Sequence, residues 1–391
     1  MEPYIFSDMA QKKQDKFMNF VIHSNSHESI LNFRKELILE IHKKGFDIYI
    51  IAPNISSSNT LLKFLNANKM RFYEIEISRS SINPFMELKS FLSLIYLLIK
   101  IKPQGILTYT VKANLFGMIA AYLLRVPGKF AMVTGLGYLF RSESKTILTK
   151  FLQYVYGKSL NLADVIFFQN TDDLDTMLKL KALSPKANVA CINGSGVNLK
   201  HFHEEPFGDM QKINFLMIGR LLISKGINEF VQASIEINKL YPNVHFNLLG
   251  WMDENPESIS REDLQIIKKC SHLTLISKVK DVRPIIKNSH VFVLPSYHEG
   301  LPRSVIEAMA IGRPIITTDA PGCRDTVINL YNGYIIQKKS ITELVSAMKH
   351  FINNPDSISK MGKNSRALAE DKFDVYKVNK KMIYEMESFL F

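Results

Sequence analysis

The chain reads as an α/β protein of two doubly wound domains facing a cleft, on three observations. Short apolar runs alternate with amphipathic helical stretches from residue 18 onward. The alternation breaks once, at the Gly- and polar-rich residues 194–211 (GSGVNLKHFHEEPFGDMQ), and then restarts. The 391 residues are enough for two such blocks of ordinary domain size.

Residues 1–17 have no periodicity and read as a flexible arm, with Met18 a natural alternative start. FVIHS (20–24) is a strand, 30–44 a helix ended by Gly45, and DIYIIA (47–52) the next strand. A short helix leads to a strand at 72–77, and Pro84 opens a long apolar helix to 102. GILTY (105–109), KFAMVT (129–134), VIFFQ (165–169) and VACIN (189–193) follow as strands, with helices at 113–124, 145–162 and 172–180 between them. Past the break, strands are expected at 214–218, 245–250, 273–277, 291–294, 313–319 and 334–337. The helices there are 227–240, 303–310, 342–353, 357–369 and 375–390. The domain limits read as 18–200 and 201–372, with 373–391 a terminal helix packing back on the first domain.

Composition, 46% hydrophobic and 22% charged, is that of a soluble globular protein. Cys191, Cys270 and Cys323 lie far apart with no metal-ligand spacing, which argues for a reducing compartment and against a disulfide frame or zinc site. The N-terminus lacks a signal-peptide core, and no apolar run is long enough to span a bilayer. FLSLIYLLIKI (91–101), beside Lys89, Lys100 and Lys102, reads as a helix lying on a membrane or as a buried core helix. The net charge of +12 is concentrated in residues 1–200, with 25 Lys/Arg against 15 Asp/Glu. Such a half suits acidic lipid or a phosphate-bearing substrate; without an aromatic-interleaved basic run, nucleic acid is not expected.

The chemistry centres on residues 291–312, VFVLPSYHEGLPRSVIEAMAIG. A buried strand, a polar loop and a helix entered through Pro302 leave the backbone N–H groups of 302–305 pointing at open space, an anion site. Glu299 and Glu307, eight positions apart, flank it and suit sugar hydroxyls. The second domain opens FLMIGRLLISKG (215–226), where Gly219 permits close approach and Arg220 and Lys225 supply cations for phosphate. Both segments follow strands, at the edge where open α/β sheets bind ligands. Gly135-Leu-Gly137 and Gly194-Ser-Gly196 lack the rest of a dinucleotide fingerprint, and Asp173-Leu-Asp175 reads as a helix cap rather than a metal clamp. His298 counts as a polar contact because it adjoins Glu299, and no GxSxG elbow is present.

Gly219-Arg220…Lys225-Gly226 and Pro295-Ser296…Glu299-Gly300-Leu301-Pro302…Glu307-Ala308, with the EX7E spacing, resemble glycosyltransferase family 4. That resemblance implies the GT-B fold, two Rossmann-like domains facing a cleft, from residue 18 onward. Ser78-Arg79…Asn83-Pro84, Thr134-Gly135-Leu136-Gly137 and Asp253-Glu254-Asn255-Pro256 are similar to bacterial enzymes that build saccharides on undecaprenyl diphosphate, N-acetylgalactosaminyltransferases among them. By that resemblance Arg220 and Lys225 neutralise a UDP-sugar diphosphate, Glu307 binds ribose, Glu299 the transferred sugar, and amides around Ser304 and Val305 complete the phosphate site, with Gly219, Gly300, Leu301 and His298 alongside. The implied reaction is a retaining transfer without metal or other cofactor, onto a polyprenyl-diphosphate-linked acceptor at the inner face of the cell membrane. Lys112, Asn114, Thr134 and Gly135 are the acceptor-side candidates. The chain departs from the pattern in two places. Ser24-Asn25-Ser26-His27-Glu28-Ser29 stands where many members have a Gly-Gly loop, and Thr134 where many have His, so no catalytic base is assigned. A UDP-N-acetylhexosamine epimerase and a non-catalytic nucleotide-sugar-binding protein are the alternatives.

Overall fold

The computed structural model of the chain describes residues 18–77, 83–137, 140, 147–252 and 257–390. The arm 1–17 and the signatures Ser78-Arg79 and Asp253-Glu254-Asn255-Pro256 lie outside the described residues.

Seven strands, β1 (Met18–Ser24), β2 (Phe46–Ala52), β3 (Arg71–Glu74), β4 (Gly105–Tyr109), β5 (Gly128–Val133), β6 (Val165–Phe168) and β7 (Val189–Cys191), form a parallel sheet in the order β3-β2-β1-β4-β5-β6-β7. The helices around it are α1 (Lys35–Lys43), α2 (Asn59–Ala67), α3 (Pro84–Ile101), α4 (Val111–Leu123), α5 (Ile147–Leu160) and α6 (Thr171–Lys179). Six more strands, β8 (Asn214–Arg220), β9 (His245–Trp251), β10 (Leu273–Ile276), β11 (Val291–Leu294), β12 (Ile315–Thr318) and β13 (Gly333–Ile336), make a second parallel sheet, β10-β9-β8-β11-β12-β13. Its helices are α7 (Ile227–Leu240), α8 (Arg261–Lys269), α9 (Arg283–Lys287), α10 (Arg303–Ala310), α11 (Ile341–Asn353) and α12 (Pro355–Lys372). These are the two Rossmann-like sheets expected. Their strands read as apolar runs because helices cover both faces.

Each strand order reverses once, between β1 and β4 and between β8 and β11. The crevice at such a switch point, beyond the strands' carboxyl ends, is where open sheets take ligands. β8 and β11 carry the two motifs, so the topology sets Lys225 beside Glu299.

The last helix, α13 (Val375–Leu390), buries Val378, Met382, Ile383 and Met386 in the first sheet's core, against α1. That spacing puts all four on one face, and burying each contributes roughly 1.5–3 kcal/mol. The chain thus crosses between the halves twice. The crossings pair side by side, with Val197 N–H donating to Phe373 O at 2.6 Å and Val375 N–H to Val197 O at 3.0 Å.

Three local differences from the expectation have plain causes. The helix expected at 30–44 begins as a π-helical turn, Ile30–Arg34, before α1. The third strand stops at Glu74 because its one neighbour, β2, ends at Ala52 opposite it. α8 was not expected; it buries only Ile267, with Leu264 packed beside it against the core, and a Ser260–Asp263 capping box starts it.

Candidate active site

Two turns of the second domain meet at the cleft floor. After β8 the chain makes a 3₁₀ turn, Ile223–Lys225, and enters α7 through Gly226 at φ +76°. A side chain at Gly226 would strike the Pro295 carbonyl, so the conformation and the close approach both require glycine. That approach ties the turns together: Tyr297 N–H donates to Ser224 O at 2.9 Å and Ser296 Oγ to the same oxygen at 3.1 Å. Lys225 Nζ then lies 2.5 Å from Glu299 Oε1, which also accepts from Ser296 Oγ at 2.7 Å. Burial alone would raise the Glu299 pKa, but Lys225, Ser296 and His298 together hold it below the ordinary value. Glu299 is therefore an anion with a fixed cation at its side. Arg220 ends β8, half-buried, and no atom comes within 4 Å of the place a Gly219 side chain would occupy.

α10 begins at Arg303, and the anion site at its start is smaller than expected. Pro302 has no N–H, and the Val305 amide donates to Pro302 O at 3.1 Å while its side chain is core. The amides of Arg303 and Ser304 remain without a backbone acceptor among the described residues. The Ser304 hydroxyl turns back to Ile218 O at 3.3 Å. Glu307 Oε1 accepts from Arg303 Nε at 2.8 Å, and Arg303 reaches on to the Gly196 carbonyl in the inter-domain link. Burial raises the Glu307 pKa against the pull of Arg303. Arg303 was not among the sequence candidates, although its i,i+4 spacing to Glu307 was legible.

The first domain closes on the loop between the two acids. Asn170 caps α6 and sends Nδ2 to Gly300 O at 2.6 Å. Asp173 Oδ1 meets His298 Nε2 at 2.9 Å, and Arg324 holds Asp172 through two oxygens at 2.8 Å. The Asp173 cluster does cap a helix, but it also fastens the two domains. Gly300 packs so closely on the Thr134 carbonyl and Gln169 that a side chain there would collide with both, and Gly135 lies against its other side. Leu301 fills the space above Gly194.

Of the acceptor-side candidates, Thr134 and Gly135 line this contact. Asn114 does not reach the cleft. It is fully buried, accepts from Thr108 Oγ1 at 2.7 Å and donates to Met132 O and the Tyr156 hydroxyl, so it serves the core; this corrects its acceptor-side assignment. Lys112 pairs with Glu87 of α3 at 2.6 Å.

Residues 199–368 match the family of glycosyl transferases group 1, and residues 21–170 match the glycosyl transferase 4-like family. The chain belongs to the glycosyltransferases. It is 29% identical to the N,N'-diacetylbacillosaminyl-diphospho-undecaprenol alpha-1,3-N-acetylgalactosaminyltransferase of Campylobacter jejuni, over 88% of this chain and 91% of that one. It is 28% identical to the capsular polysaccharide biosynthesis glycosyltransferase CapM of Staphylococcus aureus, over 85% and 87%. Among solved structures, Anabaena HepE in complex with UDP superposes with a TM-score of 0.76 at 15% identity, over 95% of this chain and all of that one. The fold of this glycosyltransferase is GT-B.

Proposed function

We propose that this glycosyltransferase moves a sugar, an N-acetylhexosamine, from a UDP-sugar to a polyprenyl-diphosphate-linked saccharide, with retention and without a metal. The observation that carries the reading is the Lys225–Glu299 pair, with Arg220 ending β8, at the carboxyl ends of the two switch-point strands. Relatives named for undecaprenyl-diphosphate-linked substrates, and a fold neighbour holding UDP, support the choice of acceptor and nucleotide.

In this reading Arg220, Lys225 and the Arg303 and Ser304 amides receive the donor diphosphate. Glu307 holds the ribose and Glu299 the transferred sugar. The bond from the anomeric carbon to the diphosphate oxygen breaks and the acceptor hydroxyl bonds to the same face. Its proton passes to the departing phosphate oxygen. Negative charge grows on the diphosphate along this path, so preorganised cations and amides there lower the barrier. Incubating the protein with a panel of UDP-sugars and lipid-linked acceptors tests it. Acceptor-dependent UDP release, with a product heavier by one sugar, is expected. An epimer formed without acceptor would replace transfer by rearrangement, and silence across the panel would leave only a binding protein.

The membrane is the second partner in this proposal. α3 buries Leu94, Leu97 and Leu98 and exposes Phe85, Leu88, Leu92 and Tyr96 on its other side. α4 packs against both α3 and α5, and α5 exposes Ile147 and Phe151. Lys89, Lys100, Arg125, Lys150 and Lys158 are exposed around this face. No described helix is long and apolar enough to cross a bilayer, so the mode is peripheral: apolar side chains in the interface and lysines on anionic headgroups. In liposome flotation, binding to anionic vesicles is expected to fall with salt and to weaken several-fold in a Leu88→Glu, Leu92→Glu variant. Equal flotation on neutral vesicles, or none on anionic ones, would reject this surface.

A further inference from the structure

The turn between β1 and α1 holds a cation that the site described above does not use. Arg34 closes the π-helical turn Ile30–Arg34 and is only 3% exposed. Short π-helical turns are rare and are frequently found at functional sites. The Arg34 guanidinium lies over the Tyr109 ring, 5.0 Å from its centroid. Nη1 donates to the neighbouring Phe33 carbonyl at 3.1 Å, Nη2 meets only the Met132 sulfur at 2.7 Å, and Nε is buried with no acceptor. A thioether is a weak acceptor. Among the described residues no carboxylate pairs with Arg34. The groups linked around Tyr109 are neutral hydroxyls, Ser29 at 3.0 Å from its OH and Ser24 at 3.1 Å from Ser29. Burial and Arg303 lower the Arg34 pKa to about 10, which leaves it protonated at neutral pH.

Arginine is almost never fully buried without a partner, since desolvating a charge costs several kcal/mol that only a counter-charge returns. Here the first domain buries a cation that no carboxylate compensates among the described residues. What Arg34 lacks is an anion. We propose that Arg34 is the first domain's positioning residue for a diphosphate, acting by its charge from beneath the Ser24–Ser29 turn. This rests on the reading in which both substrates carry a diphosphate, one in the nucleotide and one in the lipid.

The test measures binding of inorganic pyrophosphate, UDP and farnesyl diphosphate to the full chain by calorimetry at fixed salt, for wild type, Arg34→Met and Arg34→Lys. Pyrophosphate affinity is expected to fall about tenfold or more in Arg34→Met and to be largely restored in Arg34→Lys, as for loss of one charge-assisted contact. The melting temperature of Arg34→Met should stay level or rise, because an unpaired buried charge is replaced by an apolar side chain of similar length. A parallel loss for UDP assigns the donor diphosphate, and for farnesyl diphosphate the acceptor's. Wild-type pyrophosphate binding in Arg34→Met overturns the proposal. So does a lowered melting temperature whose affinity loss Arg34→Lys fails to restore, which would make Arg34 a structural residue. A wild type that binds none of the three probes overturns it as well. Pyrophosphate binding that depends on Arg34, in a protein that transfers no sugar in the donor panel, would instead reject the transferase reading and leave this one standing.

Discussion

Lys225→Ala is expected to lower kcat/KM by about a hundredfold or more, roughly 3 kcal/mol of transition-state stabilisation, with most of the loss in kcat. Two effects act together. In the proposed reaction a cation for the developing diphosphate charge is gone, and Glu299 loses the ammonium 2.5 Å away. Unpaired in its buried loop, Glu299 rises in pKa and ceases to be a fixed acceptor for the sugar. Lys225→Arg keeps the charge, but its larger planar head does not fit a single 2.5 Å contact, so partial activity is expected. Stability moves too. The wild-type Glu299 pKa lies below the usual 4.5, so the pair's stabilisation is complete above that pH and is lost as pH falls through the lowered value. Lys225→Ala should therefore melt lower than wild type at neutral pH, with the gap closing on acidification. Near-wild-type turnover in a folded Lys225→Ala protein removes the lysine from the mechanism.

The two sheets were legible because parallel strands covered on both faces must be apolar throughout, as VFVL and VIFF are. The two turns that follow β8 and β11 were legible because each is local: a glycine, a cation and an acid at fixed spacing after a strand. The clamp between the domains was not. Asn170 and Gly300 are 130 residues apart, and Arg324 and Asp172 are 152 apart; each looks locally like a cap or a solvated charge. Asn114 was a candidate only through the family resemblance of its segment, VKANLFG, while its partners Met132 and Tyr156 come from elements placed only by the fold. Arg34 sits in an amphipathic stretch where a polar side chain ordinarily faces water. The π-helical turn is what directs it inward, and no side-chain pattern announces that turn.

Glu307→Ala is expected to cost a similar factor in kcat/KM, but chiefly through KM. A carboxylate on ribose hydroxyls binds ground state and transition state alike, whereas Lys225 meets charge that grows during the reaction. The pH profiles should separate the two acids. Burial raises the Glu307 pKa above its usual 4.5, while Glu299 is held below it, so Glu307 protonates first as pH falls. Protonated Glu307 retains one acceptor but loses its grip on Arg303, so the acid limb of kcat/KM belongs to Glu307. Glu307→Gln should show reduced but flatter activity on the acid side, and Glu299→Gln should leave the position of that limb unchanged. An acid limb that survives Glu307→Gln at its wild-type position would move the titrating group elsewhere and take the ribose contact from Glu307. Arg303 makes the result more pointed, because it links Glu307 to the Gly196 carbonyl between the domains. If the nucleotide competes for Glu307, Arg303 is released toward the diphosphate as the donor binds, and Arg303→Met should then raise KM for UDP-sugar together with Glu307→Ala, less than additively.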